Sequence, residues 1–243
     1  MKPITIAVIT DTHYGAGSPI AARRSDIADI LLKRAVSRLN RLVRPDVTLL
    51  PGDILDNGDA PDAENRLLLL RKILDELESP YLAVPGNHDG SPDQFYRVFK
   101  RPSDIEEISG VRFLPFLDPE KPGYNARRRS EDIARFAAAR HNFDGPVVSL
   151  QHVCLFPPGK TEAPYNYTNA DEIITAMKQS GTTLSVSGHY HRGTENTREG
   201  GVTFVNAPAI CETPFQFITL KIDSGGIITQ RHQLAMPPEL GLI

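Results

Sequence analysis

Five short stretches of the chain place aspartate, asparagine or histidine directly after a run of apolar residues. A short apolar run that ends near Pro or Gly is typical of a buried strand, so these polar residues are expected on the turns beyond strand ends. Carboxylate, amide and imidazole groups in such positions can bind transition metals or transfer protons. The candidates are Asp11 and His13, Asp53, Asn87 and His88, His152, and His189 and His191.

Each stretch alone has an ordinary explanation, because Asn, Asp and Gly are also common turn formers. Their shared position is what indicates a site. Five of the seven histidines lie at predicted strand ends, and only His141 and His232 do not. In an open α/β sheet the carboxyl ends of the strands face one crevice, so we expect the five stretches to meet there.

The spacings fit a pair of metal ions. Residues i and i+2 of an extended chain point to the same side, about 6.6 Å apart, so Asp11 and His13 can bind one ion together. His189 and His191 can serve different ions of a pair about 3.5–4 Å apart, and the two oxygens of Asp53 can bridge that pair. Mixed nitrogen and oxygen ligands favour Mn, Fe, Zn or Co over Ca or Mg. Two divalent ions bring about +4, of which two aspartates and a bridging hydroxide remove about three. The remaining positive charge favours an anionic phosphoester substrate.

The apolar pattern predicts the elements that position these residues. A β-α-β-α-β order near the N-terminus predicts a parallel sheet with right-handed crossovers. Strands are predicted over 4–9, 47–50, 81–84, 111–116, 147–150 and 183–187. Helices are predicted over 23–43, 67–77, 93–99, 130–140 and 170–178, the first with an apolar stripe on Ile27, Ile30, Leu31, Ala35, Leu39 and Leu42. Further strands over 202–205, 215–222 and 227–232 predict an antiparallel continuation of a sheet within one domain covering 1–243.

The composition narrows the class of protein. The 243 residues carry 27 Lys and Arg against 30 Asp and Glu, a net charge of −3, which argues against a nucleic-acid or membrane binder that depends mainly on charge. Two cysteines cannot form a disulfide framework, and the apolar run near the N-terminus is too short for a signal peptide. We therefore expect a soluble, cytoplasmic protein. Neither a membrane nor a nucleic acid is an expected partner, and the sequence does not indicate an oligomeric state.

The ordered motifs DTH, GDILD, GNHD, QH and GHYH, from residue 11 to 191, resemble those of the calcineurin-like metallophosphoesterases. The resemblance implies an α/β fold, a four-layer α/β/β/α sandwich with two mixed sheets and a dinuclear metal site at the carboxyl ends of the strands. It also implies a phosphoesterase in which a hydroxide bridging the two ions attacks phosphorus. One implied ion has the ligands Asp11, His13, Asp53 and His191, and the other has Asp53, Asn87, His152 and His189. His88 would be a non-ligand imidazole that assists the leaving group, and Asp56 would hydrogen-bond to His88 and orient it.

Departures from subfamily patterns narrow the resemblance. Asn57 and Pro85 stand where protein Ser/Thr phosphatases have arginines, and Asp56 stands where purple acid phosphatases have a tyrosine ligand. The chain is more similar to the class III cyclic-nucleotide phosphodiesterases, which implies small phosphodiesters as substrates. Those enzymes often have a second histidine after the position of His152, where this chain has Val153, and this weakens a specific assignment to cyclic nucleotides. Phosphomonoesters and nucleotide pyrophosphates are the alternative substrates.

Two other classes of function stay open at this level. A non-catalytic scaffold would keep the fold, but such relatives usually have eroded ligand sets, and here every expected ligand is present. A thiol hydrolase that uses Cys154 and His152 would need a reactive thiol, whereas a free cysteine usually packs as a small apolar residue. The sequence leaves undecided whether the following residues contact substrate, support the site or have no part in it: Tyr14, Arg23, Arg24, the basic run Arg127, Arg128 and Arg129, Tyr190, Asn206 and Glu212.

Overall fold

Two β-sheets pack face to face, and helices cover the outer side of each. The computed structural model describes residues 2–234. The strands are β1 (Ile4–Val8), β2 (Val47–Leu50), β3 (Tyr81–Ala83), β4 (Glu106–Ile108), β5 (Val111–Pro115), β6 (Glu120–Lys121), β7 (Asn125–Ala126), β8 (Val147–Leu150), β9 (Leu184–Ser187), β10 (Thr197–Glu199), β11 (Val202–Asn206), β12 (Gln216–Asp223) and β13 (Gly226–Gln233). The α-helices are α1 (Ala28–Arg38), α2 (Ala63–Leu74), α3 (Pro92–Val98), α4 (Ser130–Arg140) and α5 (Ala170–Gln179).

Both sheets are mixed, as predicted. The first has the order β13-β12-β1-β2-β3 and the second the order β10-β11-β9-β8-β5-β4. In the first sheet β1, β2 and β3 are parallel neighbours, and β12 pairs with β1 in antiparallel register, Ile6 opposite Leu220. In the second sheet β5, β8, β9 and β11 are parallel, with the short antiparallel strands β4 and β10 at its edges.

Three hydrophobic clusters define the four layers. Alternate residues of β1 face opposite ways: Ala7 packs with residues of α1, α2 and α3, whereas Ile6 packs with residues of the second sheet such as Val148. A third cluster joins the second sheet to α4 and α5 through side chains such as Phe136 and Ile173. Because β1 is buried on both faces, its sequence is almost uninterruptedly apolar. The four-layer α/β/β/α sandwich implied by the resemblance is confirmed.

The first helix is shorter than predicted. A 3₁₀ turn (Ser25–Ile27) precedes α1 and a π turn (Leu39–Val43) follows it. Ile30 is 41% exposed and Leu42 is 76% exposed, so the predicted apolar stripe was wrong at both positions. Ile30 lies outside the face of α1 that packs inward. Because the π turn is wider than an α-helical turn, Leu42 falls outside the 3.6-residue period of the predicted stripe.

The C-terminal strands follow the prediction only in part. β12 and β13 extend the first sheet in antiparallel fashion, as expected. β11, however, runs parallel to β9 in the second sheet, so the antiparallel prediction for residues 202–205 was wrong. All five residues of β11 are buried, which suits a strand covered on both faces. Among residues 2–234, no helix is long and apolar enough to cross a membrane. The cytoplasmic location and the single-domain boundaries stay predictions.

Candidate active site

The candidate residues come together where the carboxyl ends of the two sheets meet. Asp11 and His13 follow β1, Asp53 follows β2, and the turn after β3 carries the Asn-His pair. Backbone hydrogen bonds join the first two of these loops, from Asp11 N to Gly52 O (3.1 Å) and from His13 N to Asp53 O (2.9 Å). His189, which follows β9 of the second sheet, donates its backbone N–H to Asp11 Oδ2 at 3.0 Å. The two sheets are therefore linked at the site by the site residues themselves.

Several of these residues adopt a backbone conformation that side chains rarely take. The φ angles are +52° at Asp11, +47° at His13, +52° at Asp53 and +72° at His189. Left-handed backbone of this kind costs about 1–3 kcal/mol at each residue other than Gly, and such residues cluster at functional sites. Gly86 meets a different demand, because a Cβ at this position would collide with the side chains of Asp53 and His152.

The first cluster contains Asp11, His13 and His191, whose ligand atoms lie within 4.8 Å of one another. His13 Nε2 is 3.1 Å from His191 Nε2, and His191 Nε2 is 3.4 Å from Asp11 Oδ1. His13 Nε2 also lies 3.5 Å from Asp53 Oδ2. Two imidazoles and up to two carboxylates therefore converge on one point.

The second cluster shares Asp53 with the first. His152 Nε2 is 3.3 Å from Asp53 Oδ2, 3.0 Å from Asn87 Oδ1 and 3.0 Å from His189 Nδ1. Asp53 Oδ2 thus stands between His13 and His152, one from each cluster. The seven residues predicted as metal ligands therefore form two adjacent groups with one carboxylate in common.

Each imidazole of the second cluster is oriented by an oxygen on its outer side. His152 Nδ1 donates to Pro51 O at 2.7 Å, and His189 Nε2 donates to Tyr124 O at 3.0 Å. In the first cluster, His191 Nδ1 donates to Glu212 Oε1 at 2.6 Å. Outer partners of this kind fix the tautomer and the ring plane of a metal-binding histidine.

The donor set fits divalent metal ions. When His152 and His189 are both neutral, with their protons on the outer nitrogens, their inner nitrogens present lone pairs to each other at 3.0 Å. Two facing lone pairs repel unless a cation lies between them. The inner Nε2 of His191 likewise faces the carboxylate of Asp11. Imidazole nitrogens with carboxylate and amide oxygens are the ligands that Mn, Fe, Zn and Co accept.

The pKa values of the histidines also indicate that the site favours positive charge. Burial opposes charge on His191, but Asp11 and Glu212 outweigh burial and raise its pKa to about 10. Burial also opposes charge on His152, and Asp53 raises its pKa to about 9. Burial and the neighbouring His152 lower the pKa of His189 to about 4. In each cluster the neighbouring carboxylates therefore favour positive charge at the inner side of an imidazole, which is where a cation would lie.

His88 is held by a different group from the one predicted. Its Nδ1 lies 2.7 Å from the backbone oxygen of Asp56, not from the Asp56 carboxylate. That carboxylate instead contacts His13 Nδ1 (3.4 Å) and the Arg23 guanidinium (3.3 Å). Burial would raise the pKa of Asp56, but these two neighbours lower it. The predicted side-chain hydrogen bond is therefore replaced by a backbone one, and Asp56 serves both imidazoles through different atoms.

Four residues outside the predicted site support it. Thr10 Oγ1 donates to Asp11 Oδ2 at 2.7 Å, and Asp89 accepts backbone N–H groups from Leu55 and Gly86 at 2.8 Å each. Arg23 contacts Asp56, and Glu212 contacts His191. Thr10 directly precedes the DTH motif and Asp89 is the last residue of the GNHD motif, so the sequence could have indicated a supporting role for both. Nothing local in the sequence marks Glu212 as the partner of His191.

Three cavities that share lining residues surround the clusters. The central cavity, about 400 Å³, exposes Asp53, His88, His189 and His191. On the His88 side lies a polar cavity of about 600 Å³, which is lined by Arg23, Asp56, Asn57, Asp59 and Arg66. A largely apolar cavity of about 490 Å³ adjoins His152 and His189; Phe116, Leu117, Pro119, Tyr124 and Val153 line it, together with a few charged side chains. Asn87 borders all three cavities.

Comparison with known proteins places this arrangement in a family. The profile of the calcineurin-like phosphoesterases matches residues 4–193. The chain is 26% identical over 230 residues to a probable cyclic nucleotide phosphodiesterase of Synechococcus sp., an alignment that covers 91% of this chain and 85% of that protein. It is 27% identical over 218 residues to a cAMP/cGMP dual specificity phosphodiesterase of Mycobacterium tuberculosis, covering 84% of this chain and 67% of that protein.

A solved structure agrees with this assignment at the level of the fold. A dimetal phosphatase from Danio rerio is similar with a TM-score of 0.74 at 16% identity, covering 95% of this chain and 96% of that one. The family profile spans most of the chain and includes every motif from DTH to GHYH. The chain belongs to the calcineurin-like phosphoesterase family and is a metal-dependent phosphoric ester hydrolase.

Proposed function

We propose that the chain hydrolyses small phosphodiesters at a centre of two divalent transition-metal ions. The observation that carries the proposal is the position of Asp53 Oδ2, which lies 3.5 Å from His13 Nε2 and 3.3 Å from His152 Nε2. A carboxylate between two groups of imidazoles suits a ligand shared by two ions. Asp53 is 2% exposed, and its pKa is held well below the ordinary value, against the effect of burial, by His152 and His13.

The other residues of the two clusters would complete the coordination. Asp11, His13 and His191 would hold one ion, and Asn87, His152 and His189 the other. When bound, the ions supply the positive charge that holds phosphoryl oxygens and activates water. Two carboxylates and neutral imidazoles leave a loaded centre of two dications with net positive charge, which favours an anionic ester as substrate.

His88 is proposed as the proton donor to the leaving group. The Asp56 carbonyl binds its Nδ1–H at 2.7 Å, which fixes the ring and leaves Nε2 as the nitrogen available to substrate. His88 borders both the central and the polar cavity, where the leaving group can lie. Donation from a protonated Nε2 to the leaving oxygen avoids the expulsion of a strongly basic alkoxide.

A diester is favoured over a monoester because two separate cavities adjoin the centre. The polar cavity adjoins His88, and the apolar cavity adjoins His152 and His189. An acyclic phosphodiester has two separate organic groups, and each could occupy one of the two cavities. The relatives described as cyclic nucleotide phosphodiesterases support this choice.

Hydrolysis by the purified protein tests the proposal. Protein stripped with chelator is reloaded with Mn²⁺, Fe²⁺, Zn²⁺ or Co²⁺ and assayed with bis(p-nitrophenyl) phosphate, p-nitrophenyl phosphate and a nucleotide pyrophosphate. We expect two ions per chain and the highest kcat/KM with the diester. A higher kcat/KM with either other substrate would replace the diester by that class, and no turnover with any metal would reject the enzymatic proposal. A metal content well below one ion per chain would favour the scaffold alternative.

A further inference from the structure

The basic run Arg127, Arg128 and Arg129 divides into three environments. Arg127 is exposed and does not line the apolar cavity. Arg128 is 1% exposed. Arg129 is exposed at the start of α4, where it lines the apolar cavity. The three consecutive arginines, which look equivalent in sequence, therefore have different surroundings.

Arg128 stabilises the wall of the apolar cavity. Its Nε and Nη2 donate to the two oxygens of Asp118 at 3.0 Å and 2.7 Å, and Tyr167 Oη donates to the same carboxylate at 2.6 Å. The guanidinium carbon lies 3.5 Å from the ring centre of Phe116. These contacts neutralise Asp118, and Arg128 is buried. The pair therefore presents no net charge to a ligand in the cavity.

The apolar cavity adjoins the candidate metal centre. Asn87, His152 and His189, all residues of the second cluster, line part of it. Phe116, Tyr124 and their apolar neighbours form its sides. Its volume of about 490 Å³ falls in the range of small-molecule sites, roughly 300–1,000 Å³. A group still attached to phosphorus at the second cluster can extend into this space.

The charges at the rim favour an anion. With Asp118 neutralised by Arg128, the remaining charged side chains in the lining outside the second cluster are Arg101, Arg129 and Glu120, a net charge of +1 (two positive, one negative). The Arg101 guanidinium lies 5.3 Å from the ring centre of Tyr96. The side chain of Arg129 makes no hydrogen bond or ion pair with any residue in 2–234, so its donors are available to a ligand.

We propose that the apolar cavity binds the ester group that remains on phosphorus, that this group is of nucleoside size, and that it carries a second anionic group bound by Arg129. This inference rests on the proposed function, because it assigns the retained half of the same diester. An apolar cavity favours a planar, weakly polar body. A guanidinium at the rim favours phosphate or carboxylate, which it can bind through two parallel hydrogen bonds. His88 lines the other two cavities and not this one, so the leaving group that it protonates belongs outside the apolar cavity.

Two matched substrates test the second anion. The p-nitrophenyl ester of thymidine 5′-phosphate has a nucleoside as its retained group, and the corresponding ester of thymidine 3′,5′-bisphosphate adds only the 3′-phosphate. We expect the wild-type protein to prefer the second substrate in kcat/KM by roughly 10- to 100-fold, the range for one charge-assisted hydrogen bond. Arg129→Gln should remove that preference, because the neutral amide cannot form an ion pair with the 3′-phosphate.

Arg127→Gln is the matched control, since it removes the same charge two residues away and should keep the preference. Equal preference in the two variants would overturn the proposal, as would the absence of a preference in the wild type. Binding of thymidine 3′,5′-bisphosphate and thymidine 5′-phosphate to the metal-loaded protein, measured by calorimetry, separates the two proposals. If neither ester is hydrolysed but Arg129→Gln still selectively weakens binding of the bisphosphate, the phosphodiesterase proposal fails and the anion site stands.

Discussion

In the first sheet, β1 and β2 lead into the carboxylates of Asp11 and Asp53, whereas in the second sheet β8 and β9 lead into imidazoles alone. The second-sheet imidazoles are those of His152, His189 and His191. Each cluster takes residues from both sheets, since His191 meets Asp11 and His152 meets Asp53. Ions bound in the clusters would therefore be held by charge from one sheet and by neutral nitrogen ligands from the other.

The two sheets also stabilise their residues differently. The first sheet holds Asp11, His13 and Asp53 in left-handed backbone conformations, which two backbone hydrogen bonds between their loops maintain. In the second sheet His189 shares that backbone conformation, but the rings are oriented mainly by outer hydrogen bonds, as from His191 to Glu212. A change to a first-sheet carboxylate should therefore remove charge that both ions need. A change to the outer hydrogen-bond partner of a second-sheet histidine should weaken the binding of only one ion.

Asp53→Ala tests the shared carboxylate and has the largest expected effect. We expect both ions to be lost and kcat/KM for bis(p-nitrophenyl) phosphate to fall by more than about 10³-fold, beyond the loss of a single transition-state donor. Metal analysis and steady-state kinetics measure the two effects. Asp144→Ala, an exposed aspartate far along the chain, is the control and should change neither. Two retained ions in Asp53→Ala would show that the clusters do not depend on a common carboxylate.

His88→Ala tests whether the first sheet also supplies the proton donor. We expect both ions to stay bound and kcat to fall by roughly 10²- to 10⁴-fold, the usual contribution of general acid–base catalysis. A substrate with a better leaving group should recover part of the rate, because it needs less protonation. His141→Ala, at an exposed position, should behave as the wild type. Loss of an ion from His88→Ala would instead make His88 a ligand.

Glu212→Ala tests the contribution of the second sheet, because Glu212 is the outer hydrogen-bond partner of His191. The loss of the 2.6 Å hydrogen bond should free the His191 ring and lower affinity at one ion by roughly 10- to 100-fold, while the other ion stays bound. In a metal titration, the variant should therefore bind one ion as tightly as the wild type does and the other more weakly, in a second step. Glu195→Ala is the control, because Glu195 is 99% exposed. Equal weakening of both ions would contradict the separation of the two clusters.

The metal-centre residues were predictable because each follows an apolar run, and parallel strands bring their carboxyl ends to one edge. Glu212 was not, because it lies 21 residues after His191 and reaches it only through the loop that follows β11. The orientation of β11 itself was predicted wrongly, since a short apolar strand looks alike in parallel and antiparallel pairing. The Asp56 carboxylate contacts Arg23 and His13 because of how the loop after β1 folds back, which no local pattern encodes.

Cys154 gives the smallest expected effect and tests whether the second sheet supplies only imidazoles. It lies two residues after His152, but it is fully buried, and its Sγ lies 2.8 Å from Asn206 Oδ1 and 3.2 Å from Gly188 O. Burial raises the pKa of the Cys154 thiol far above the neutral range, so the reactive thiolate is scarce.

We therefore expect iodoacetamide to leave the activity of the folded, metal-loaded enzyme unchanged, whereas a chelator abolishes it. Mass spectrometry should show Cys154 unmodified in the folded protein and alkylated after denaturation, which confirms that the reagent was effective. Inactivation that follows alkylation of Cys154, with indifference to the chelator, would assign a nucleophile to the loop after β8. The contrast between a charged first sheet and an imidazole-only second sheet would then be wrong.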